Sequence, residues 1–461
     1  MPDRSPRVEW IRGAAKDQAR DAYWNSQIFL EPTRQNFAPV VVVEAPAAAP
    51  RCRESSRTFS PAPVQSYEST RTIRVLHVAT VLYSGGVERW LVDLCEKDRS
   101  ERLAMDIVVL QNIEGIFAKK AHELGIPVFH CPGIGNPLVF VRNLRRLLRD
   151  HGPYDAVHCH MHAFSAFAVL AAWLEGVPAR VVHSHNVVRN SSKSLVRRAY
   201  IAIARALIGM FATAGIGPSV AATEDLLGTS WRDDPRWIVL PCGIDLAPFH
   251  APIAAASSRA AFGIPSDALV LGSVGRLSGE KNSEFLVDVL AAVLARAPRA
   301  YLLLIGEGPL RDRLASKAQQ GGFGERLVLP GTRSDVPAIM RNAVDVFVFP
   351  SPLEALPIAV VEAQAAGLPT VISDGVPPEA IIVPELVAQI PVAAGAAKWA
   401  GTVLEQARRR DAGMADHALA IVERSDFNCA QTLKALAKLY DRKRVRDMKV
   451  AAAQFPNARA S

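Results

Sequence analysis

The sequence predicts an α/β protein made of two consecutive Rossmann-like parallel-sheet domains that face a central cleft. Three observations carry that expectation. Short, β-branched apolar runs alternate with helical periods from residue 73 to residue 374, as parallel strands covered by helices on both faces require. The pattern of strand, glycine turn and helix opens twice, at IRVLHVAT with SGGVERWLVDLCEK from Ile73 and at LVLGSVGRL from Leu269, which is how nucleotide-type units begin. The 461 residues give room for about three units of roughly 150 residues, and 49% hydrophobic with 21% charged residues is the balance of a folded globular chain.

In chain order, residues 1–70 mix Pro, Ser, Arg and acidic residues without a sustained period, with APAAAP at 45–50 and SPAPVQS at 60–66. A flexible extension is expected there, in which only APVVVVEA at 38–45 has strand character. The first domain is expected over 71–243. Its strands are IRVLHVAT at 73–80, MDIVVL at 105–110, PVFH at 127–130, YDAVHCH at 154–160, ARVVHSH at 179–185 and AGIG at 214–217. Tyr200–Gly217 reads as a buried helix running into the last of these; Arg205 interrupts it, and it falls short of the about 20 apolar residues a membrane span needs. After WIVLPCGIDLAPF at 237–249 the second domain, 244–425, begins afresh with LVLGSVGRL at 269–277, a helix over 283–297, YLLLIGEGPL at 301–310, then LVLPG, DVFVFP and TVISD. Residues 426–461 are expected to form a terminal helix and a basic tail. Three units thus reduce to two domains and a head.

The formal charge of +8 is local. Residues 138–210 hold ten Lys/Arg against three Asp/Glu and residues 424–461 hold nine against three, leaving the remainder net acidic. Such segments suit an anionic ligand, an anionic membrane surface or nucleic acid, although no aromatic interleaving or binding module accompanies the arginines, so nucleic acid is not expected as a partner. The six cysteines lie far apart with no CxxC pair, which predicts reduced thiols and a cytoplasmic compartment. No apolar core follows a basic N-terminal region, so no secretory signal is expected.

FVFPSPLEALPIAVVEAQAAGLP at 347–369 is the most informative stretch. A strand ends at Pro350, a loop carries Glu354, Pro357 stands at the first helical turn beside Leu356, and the helix holds Glu362 and stops at Gly367. Backbone N–H groups of that first turn, with the helix dipole, can accept a phosphate, while carboxylates accept hydrogen bonds from sugar and ribose hydroxyls. Alone, two glutamates would be read as solvated. VGRLSGEKN at 274–282 changes the balance, because Arg276 and Lys281 directly follow a buried strand and two cations there can neutralise a leaving diphosphate. Gly85 and Gly86 would let backbone approach a ligand before a helix N-terminus. GxGxxG is absent, which argues against a dehydrogenase. HCHMH at 158–162 and HSHN at 183–186 end successive strands. His158 and His160 share a strand face and Cys159 takes the other, so a metal site, a sugar contact and a structural role are all open. Closed zinc sites need four defined ligands, and the sequence shows no carboxylate or cysteine at helical metal spacing, which favours the last two.

Taken together, SGGVERWLVDL, HCHMHAFSAFAVLAAWLEGVPARVVHSHN, CGIDLAPF, GRLSGEKNSEFLVDVL, LIGEGPLRDRL, GTRSDVP and EALPIAVVEAQAAGLPTVISD resemble, over about 73–440, the retaining glycosyltransferases of family 4, or group 1, in the subgroup that builds exopolysaccharide and capsule. The chain departs from that family in CGID for NGID and EALP for EGLP. The resemblance implies the GT-B fold, no cofactor and no bound metal, with a nucleotide-diphosphate sugar as donor and a saccharide or lipid-linked saccharide as acceptor. It implies that Arg276 and Lys281 bind the diphosphate, Glu362 the ribose and Glu354 the transferred sugar. Gly85, Gly86, Leu356 and Pro357 would border the donor, and His160, or His162 were the strand to end earlier, would approach the reacting centre. It further implies transfer with retention. The basic, amphipathic 141–150 and 195–200 segments, in the domain that would receive the acceptor, are expected to contact anionic lipid, which would seat a cytoplasmic enzyme peripherally on the inner membrane face. A noncatalytic sugar-nucleotide-binding protein and a sugar-nucleotide epimerase of the same fold are the alternatives.

Overall fold

Buried β-branched runs alternating with amphipathic helices produce two parallel sheets in a computed structural model that describes residues 71–441 apart from 84, 99–101, 114, 188–193 and 252–257. The extension expected over 1–70, with its APVVVVEA run, and the basic tail after residue 441 lie outside the described residues. The first sheet contains β1 (Ile73–Ala79), β2 (Leu103–Val109), β3 (Val128–His130), β4 (Ala156–Cys159), β5 (Ala179–His183), β6 (Ala214–Gly217) and β7 (Trp237–Val239), in the order β3-β2-β1-β4-β5-β6-β7. The second contains β8 (Leu269–Val274), β9 (Ala300–Ile305), β10 (Leu327–Gly331), β11 (Val346–Phe349), β12 (Thr370–Ile372) and β13 (Val387–Gln389), in the order β10-β9-β8-β11-β12-β13. Every pairing between these strands is parallel.

Both sheets reverse their winding beside their first strand, between β1 and β4 and between β8 and β11. A crevice forms outside the carboxyl ends of the strands at such a switch point, where ligands bind in open α/β sheets. The loops after those four strands carry Gly85 and Gly86, His160, Arg276 with Lys281, and Glu354. Apolar clusters lie on both faces of each sheet, one built around Phe140, Leu144 and Val169 and another around Trp90, Leu91 and Ile107 in the first domain. In the second domain one cluster contains Phe347, Val360 and Val361, and another Leu290, Leu302 and Trp399.

The last described helix, Cys429–Tyr440, returns to the first domain. Its Leu436, Leu439 and Tyr440 join the cluster of Val75 and Leu91, and a bridge pairs Ile244 with Asn428. The chain therefore crosses between domains at two adjacent points.

Three local expectations change. β13 has no clear sequence signal, because VAQ is short, ends in a polar residue and lies between prolines, and it forms by pairing with β12. The buried helix expected within Tyr200–Gly217 spans Leu195–Phe211 instead, and it buries Ala204 and Ile208 but leaves Leu195 74%, Val196 60%, Ile203 58% and Met210 69% exposed. It is apolar nearly all round, yet only one side packs onto its neighbours. Pro357 is the N-cap, with extended backbone, of the helix Ile358–Ala365, one residue before the first turn. At the other end Gly367 takes φ +68°, and a Cβ there would lie 2.4 Å from Ala415 Cα, so only glycine ends this helix without strain.

Candidate active site

The carboxyl ends of β8 and β11 build one wall. After β8 come Gly275 and Arg276, then a single 3-10 turn, Gly279–Lys281, and Asn282 in the left-handed region at φ +53°, from which the helix Ser283–Leu294 starts. Asn282 Nδ2 donates to the Pro350 carbonyl at 3.3 Å and Ser351 Oγ to the Glu280 carbonyl at 3.2 Å, which ties the two switch-point loops together. In that frame Lys281 Nζ donates to Glu354 Oε1 at 2.5 Å, and the Glu354 amide donates to the Gly375 carbonyl at 3.0 Å. Arg276 and Lys281 line one narrow pocket with Ser273, Gly275 and Phe349. The structure thus brings Arg276, Lys281 and Glu354 together, with Leu356 half-buried and Pro357 buried just beyond. Ala355 is buried at an ordinary negative φ, since His162 and Asn282 are the non-glycine residues with positive φ among the described ones. The alanine of EALP therefore fits without backbone strain.

Glu362, expected to hold the ribose, faces the first domain. Its buried carboxylate lies 3.2 Å from Arg89 Nη2, across the cleft on the helix Gly86–Lys97. Burial pushes the Glu362 carboxyl above its ordinary range and the Arg89 guanidinium opposes that shift. Arg89 is a residue that the sequence reading missed, although it lies inside SGGVERWLVDL, four positions after Gly85. Gly85 and Gly86 also separate in role. A Cβ at Gly85 would lie 2.0 Å from Glu88 Oε2, whereas a Cβ at Gly86 would meet nothing within 4 Å, so Gly85 makes room for Glu88 and Gly86 opens onto space.

The opposite wall holds five imidazoles. His77 comes from β1, His158 and His160 from the end of β4, and His183 and His185 from the end of β5. His160 Nε2 is 3.1 Å from His77 Nδ1, and His160 Nδ1 is 2.9 Å from His185 Nε2. His158 Nδ1 is 2.6 Å from the Tyr440 hydroxyl. Trp90 lies against the group, its ring centroid 5.3 Å from that of His183 and 5.9 Å from that of His160. Desolvation lowers His77 and His185 to about 3 and holds His158, His160 and His183 well below the usual histidine range, so all five rings are neutral near pH 7. The shared face of His158 and His160 was legible as an i, i+2 pair. His77 was not, because a lone histidine in a buried strand has no periodic signal. His162, at φ +47°, turns away and pairs with Asp225 at 2.7 Å.

Residues 84–248 match the family model described as Glycosyltransferase Family 4, and residues 255–402 the model described as Glycosyl transferases group 1. The chain is 36% identical over 338 residues to EpsF of Bacillus subtilis (strain 168), a protein with a glycosyltransferase name, covering 72% of this chain and 88% of that one. This chain belongs to the group 1 glycosyltransferases. Its activity class is sugar transfer from a nucleotide sugar. Another relative of this glycosyltransferase is the Escherichia coli UDP-Gal:alpha-D-GlcNAc-diphosphoundecaprenol alpha-1,3-galactosyltransferase, 26% identical over 66% of this chain and 79% of that one. Among solved structures, Anabaena Alr3699/HepE in complex with UDP-glucose superposes with a TM-score of 0.65 at 20% identity, over 79% of this chain and 98% of that one. WaaG, a glycosyltransferase involved in lipopolysaccharide biosynthesis, superposes with a TM-score of 0.61 at 18% identity, over 79% and 99% of the two chains. The group 1 glycosyltransferase therefore has the GT-B fold of two facing Rossmann-like domains.

Proposed function

We propose that this glycosyltransferase moves a hexosyl group, with retention, from a nucleotide-diphosphate sugar to a saccharide or lipid-linked saccharide during assembly of an extracellular or capsular polysaccharide. The observation that carries the reading is the cluster of Arg276, Lys281 and Glu354 at the switch point of the second sheet, 2.5 Å separating the last two. Arg276 and Lys281 supply positive charge where a diphosphate would leave, and backbone N–H groups at the start of Ile358–Ala365 add to it. As the glycosidic bond breaks, charge grows on the leaving phosphate while the anomeric carbon gains oxocarbenium character. Lys281 pairs with Glu354 beside that position, where the side chain can accept from sugar hydroxyls. Retention then follows if the acceptor enters on the face from which the diphosphate leaves, the departing phosphate taking its proton. His160, opposite, would contact the sugar. The likeness to EpsF and to the diphosphoundecaprenol-linked galactosyltransferase supports the acceptor class.

The exposed apolar side of Leu195–Phe211, with Arg197 and Arg198, and the basic helix Pro137–His151 support contact of the first domain with an anionic lipid surface. The test of the activity is a panel of UDP- and GDP-sugars offered with lipid-linked oligosaccharides, with anomeric configuration read from the product. Arg276→Ala and Lys281→Ala are each expected to lower turnover by on the order of 10² or more. Wild-type turnover in the double variant would remove the assignment, and donor binding without hydrolysis or transfer would favour the noncatalytic alternative.

A further inference from the structure

The five imidazoles at the ends of β1, β4 and β5 are more than a sugar contact needs. His183 is 1% exposed, and neither of its ring nitrogens has a hydrogen-bond partner among the described residues. A neutral imidazole carries one N–H and one lone pair, so sealing both without a partner costs on the order of 1–3 kcal/mol for each. Ligand atoms of His160, His183 and His185 all lie within 4.8 Å of one another. We propose that His160, His183 and His185 form a binding site for a divalent transition-metal ion of the zinc class, which supplies the partner His183 lacks.

The hydrogen bonds around this trio fit that assignment. With His160 Nδ1 and His185 Nε2 turned to an ion, each ring must carry its proton on the other nitrogen. His160 Nε2–H then donates to His77 Nδ1 at 3.1 Å and His185 Nδ1–H to Cys242 Sγ at 3.7 Å. Bound imidazoles commonly donate their second N–H in this way, which fixes the tautomer. Zn–N bonds of about 2.0–2.1 Å place two ligands of a tetrahedral ion about 3.3 Å apart. The 2.9 Å between His160 Nδ1 and His185 Nε2 needs only a small ring movement to reach that spacing. Imidazole ligands select zinc, copper or nickel over magnesium or calcium. His160 and His185 are half-buried while His183 is sealed, so an ion would enter from the cleft and keep a fourth position for water. Histidines 77, 158 and 160 form a second convergent group, but no ring in it leaves both nitrogens unpartnered as His183 does, since His77 Nδ1 meets His160 and His158 Nδ1 meets Tyr440, and its outer rings are fully buried.

The site stands on these side chains alone and requires no donor sugar. Its consequence for catalysis rests on the proposed role of His160, since an ion holding Nδ1 would withdraw that ring from the sugar and slow transfer reversibly. The test titrates chelator-treated full-length protein with Zn²⁺ by calorimetry, without nucleotide sugar, counts bound metal by atomic emission, and repeats the titration with Co²⁺ while recording its visible spectrum. One ion per chain and a tetrahedral Co²⁺ spectrum are expected. His183→Gln and His185→Gln should each weaken binding by about 10-fold or more, with His162→Gln and His250→Gln as unaffected controls. Should His183→Gln fail to fold, the half-buried His185→Gln decides. No stoichiometric binding by the folded wild type, or equal binding by His185→Gln, would overturn the site and leave a chain of hydrogen-bonded imidazoles. Absence of transferase activity would bear on the proposed function and not on this titration.

Discussion

The Glu362 carboxylate is buried and its counter-charge among the described residues is the Arg89 guanidinium, 3.2 Å away on the other domain. Removing one partner leaves the other's charge short of compensation, while removing both does not. Arg89→Met is therefore expected to cost about 1–2 kcal/mol, toward the lower end because the Arg89 side chain is 36% exposed and partly screened. The double variant Arg89→Met with Glu362→Gln should lose less than the two single losses combined, by about 1 kcal/mol. Urea denaturation of the four proteins measures this coupling, and strict additivity would show that the pair does not act across the cleft. Lys281 and Glu354 were each readable from sequence as cleft residues, whereas Arg89 was not. A charged residue on an amphipathic helix looks solvated until another domain is brought against it.

The helix Ile358–Ala365 is positioned by one buried polar side chain. Gln364 Nε2 donates to the carbonyls of Val360 at 3.0 Å and Ala380 at 2.7 Å, and Gln364 Oε1 accepts from the amides of Ile382 and Val383, both at 2.8 Å. Gln364→Leu keeps the size but strands those groups, and the expected loss is about 3 kcal/mol, read as a lowered thermal midpoint. A change under about 0.5 kcal/mol would mean that water replaces the amide. The helix Leu195–Phe211 makes a different prediction. Leu195, Val196, Ile203 and Met210 stand exposed on it, so flotation with anionic vesicles should fall at least about 5-fold in Val196→Asp with Ile203→Asp, by lost apolar burial and added negative charge. Equal flotation would remove the lipid contact. Sequence predicted this helix but not its exposure, because an apolar segment reads alike whether it faces a core or an interface.

Across the whole molecule, burying five uncharged imidazoles links folding to pH. The folded values of His77 and His185 are lowered to about 3 and those of His158, His160 and His183 are also depressed, whereas the unfolded chain titrates near 6.5. Below about pH 6.5 the unfolded state binds protons that the folded state refuses. Stability is therefore fully present above that pH and falls as acid is added, each ring contributing about 1.4 kcal/mol per pH unit once its unfolded form is protonated. Urea midpoints with a chelator present should drop steeply between pH 7.5 and about 5.5, and a flat profile would show that the cluster is protonated or hydrated in the folded state. The same accumulation explains why the cluster was only half visible. Its members come from three strands that are adjacent only because the chain winds back at β1 and β4.

Sequence by itself determined the α/β class, eleven of the thirteen strands described, the two switch-point loops and the family, because hydrophobic period, glycine turns and local charge are properties of short segments. Tertiary structure decided which of those charges meet. It set Arg89 against Glu362, seated Cys429–Tyr440 on the first sheet, exposed one side of Leu195–Phe211 and drew His77 into the group with His160 and His183. Each depends on packing between elements distant in the chain, where burial and partners are fixed by the arrangement of the sheets and not by the residues beside them.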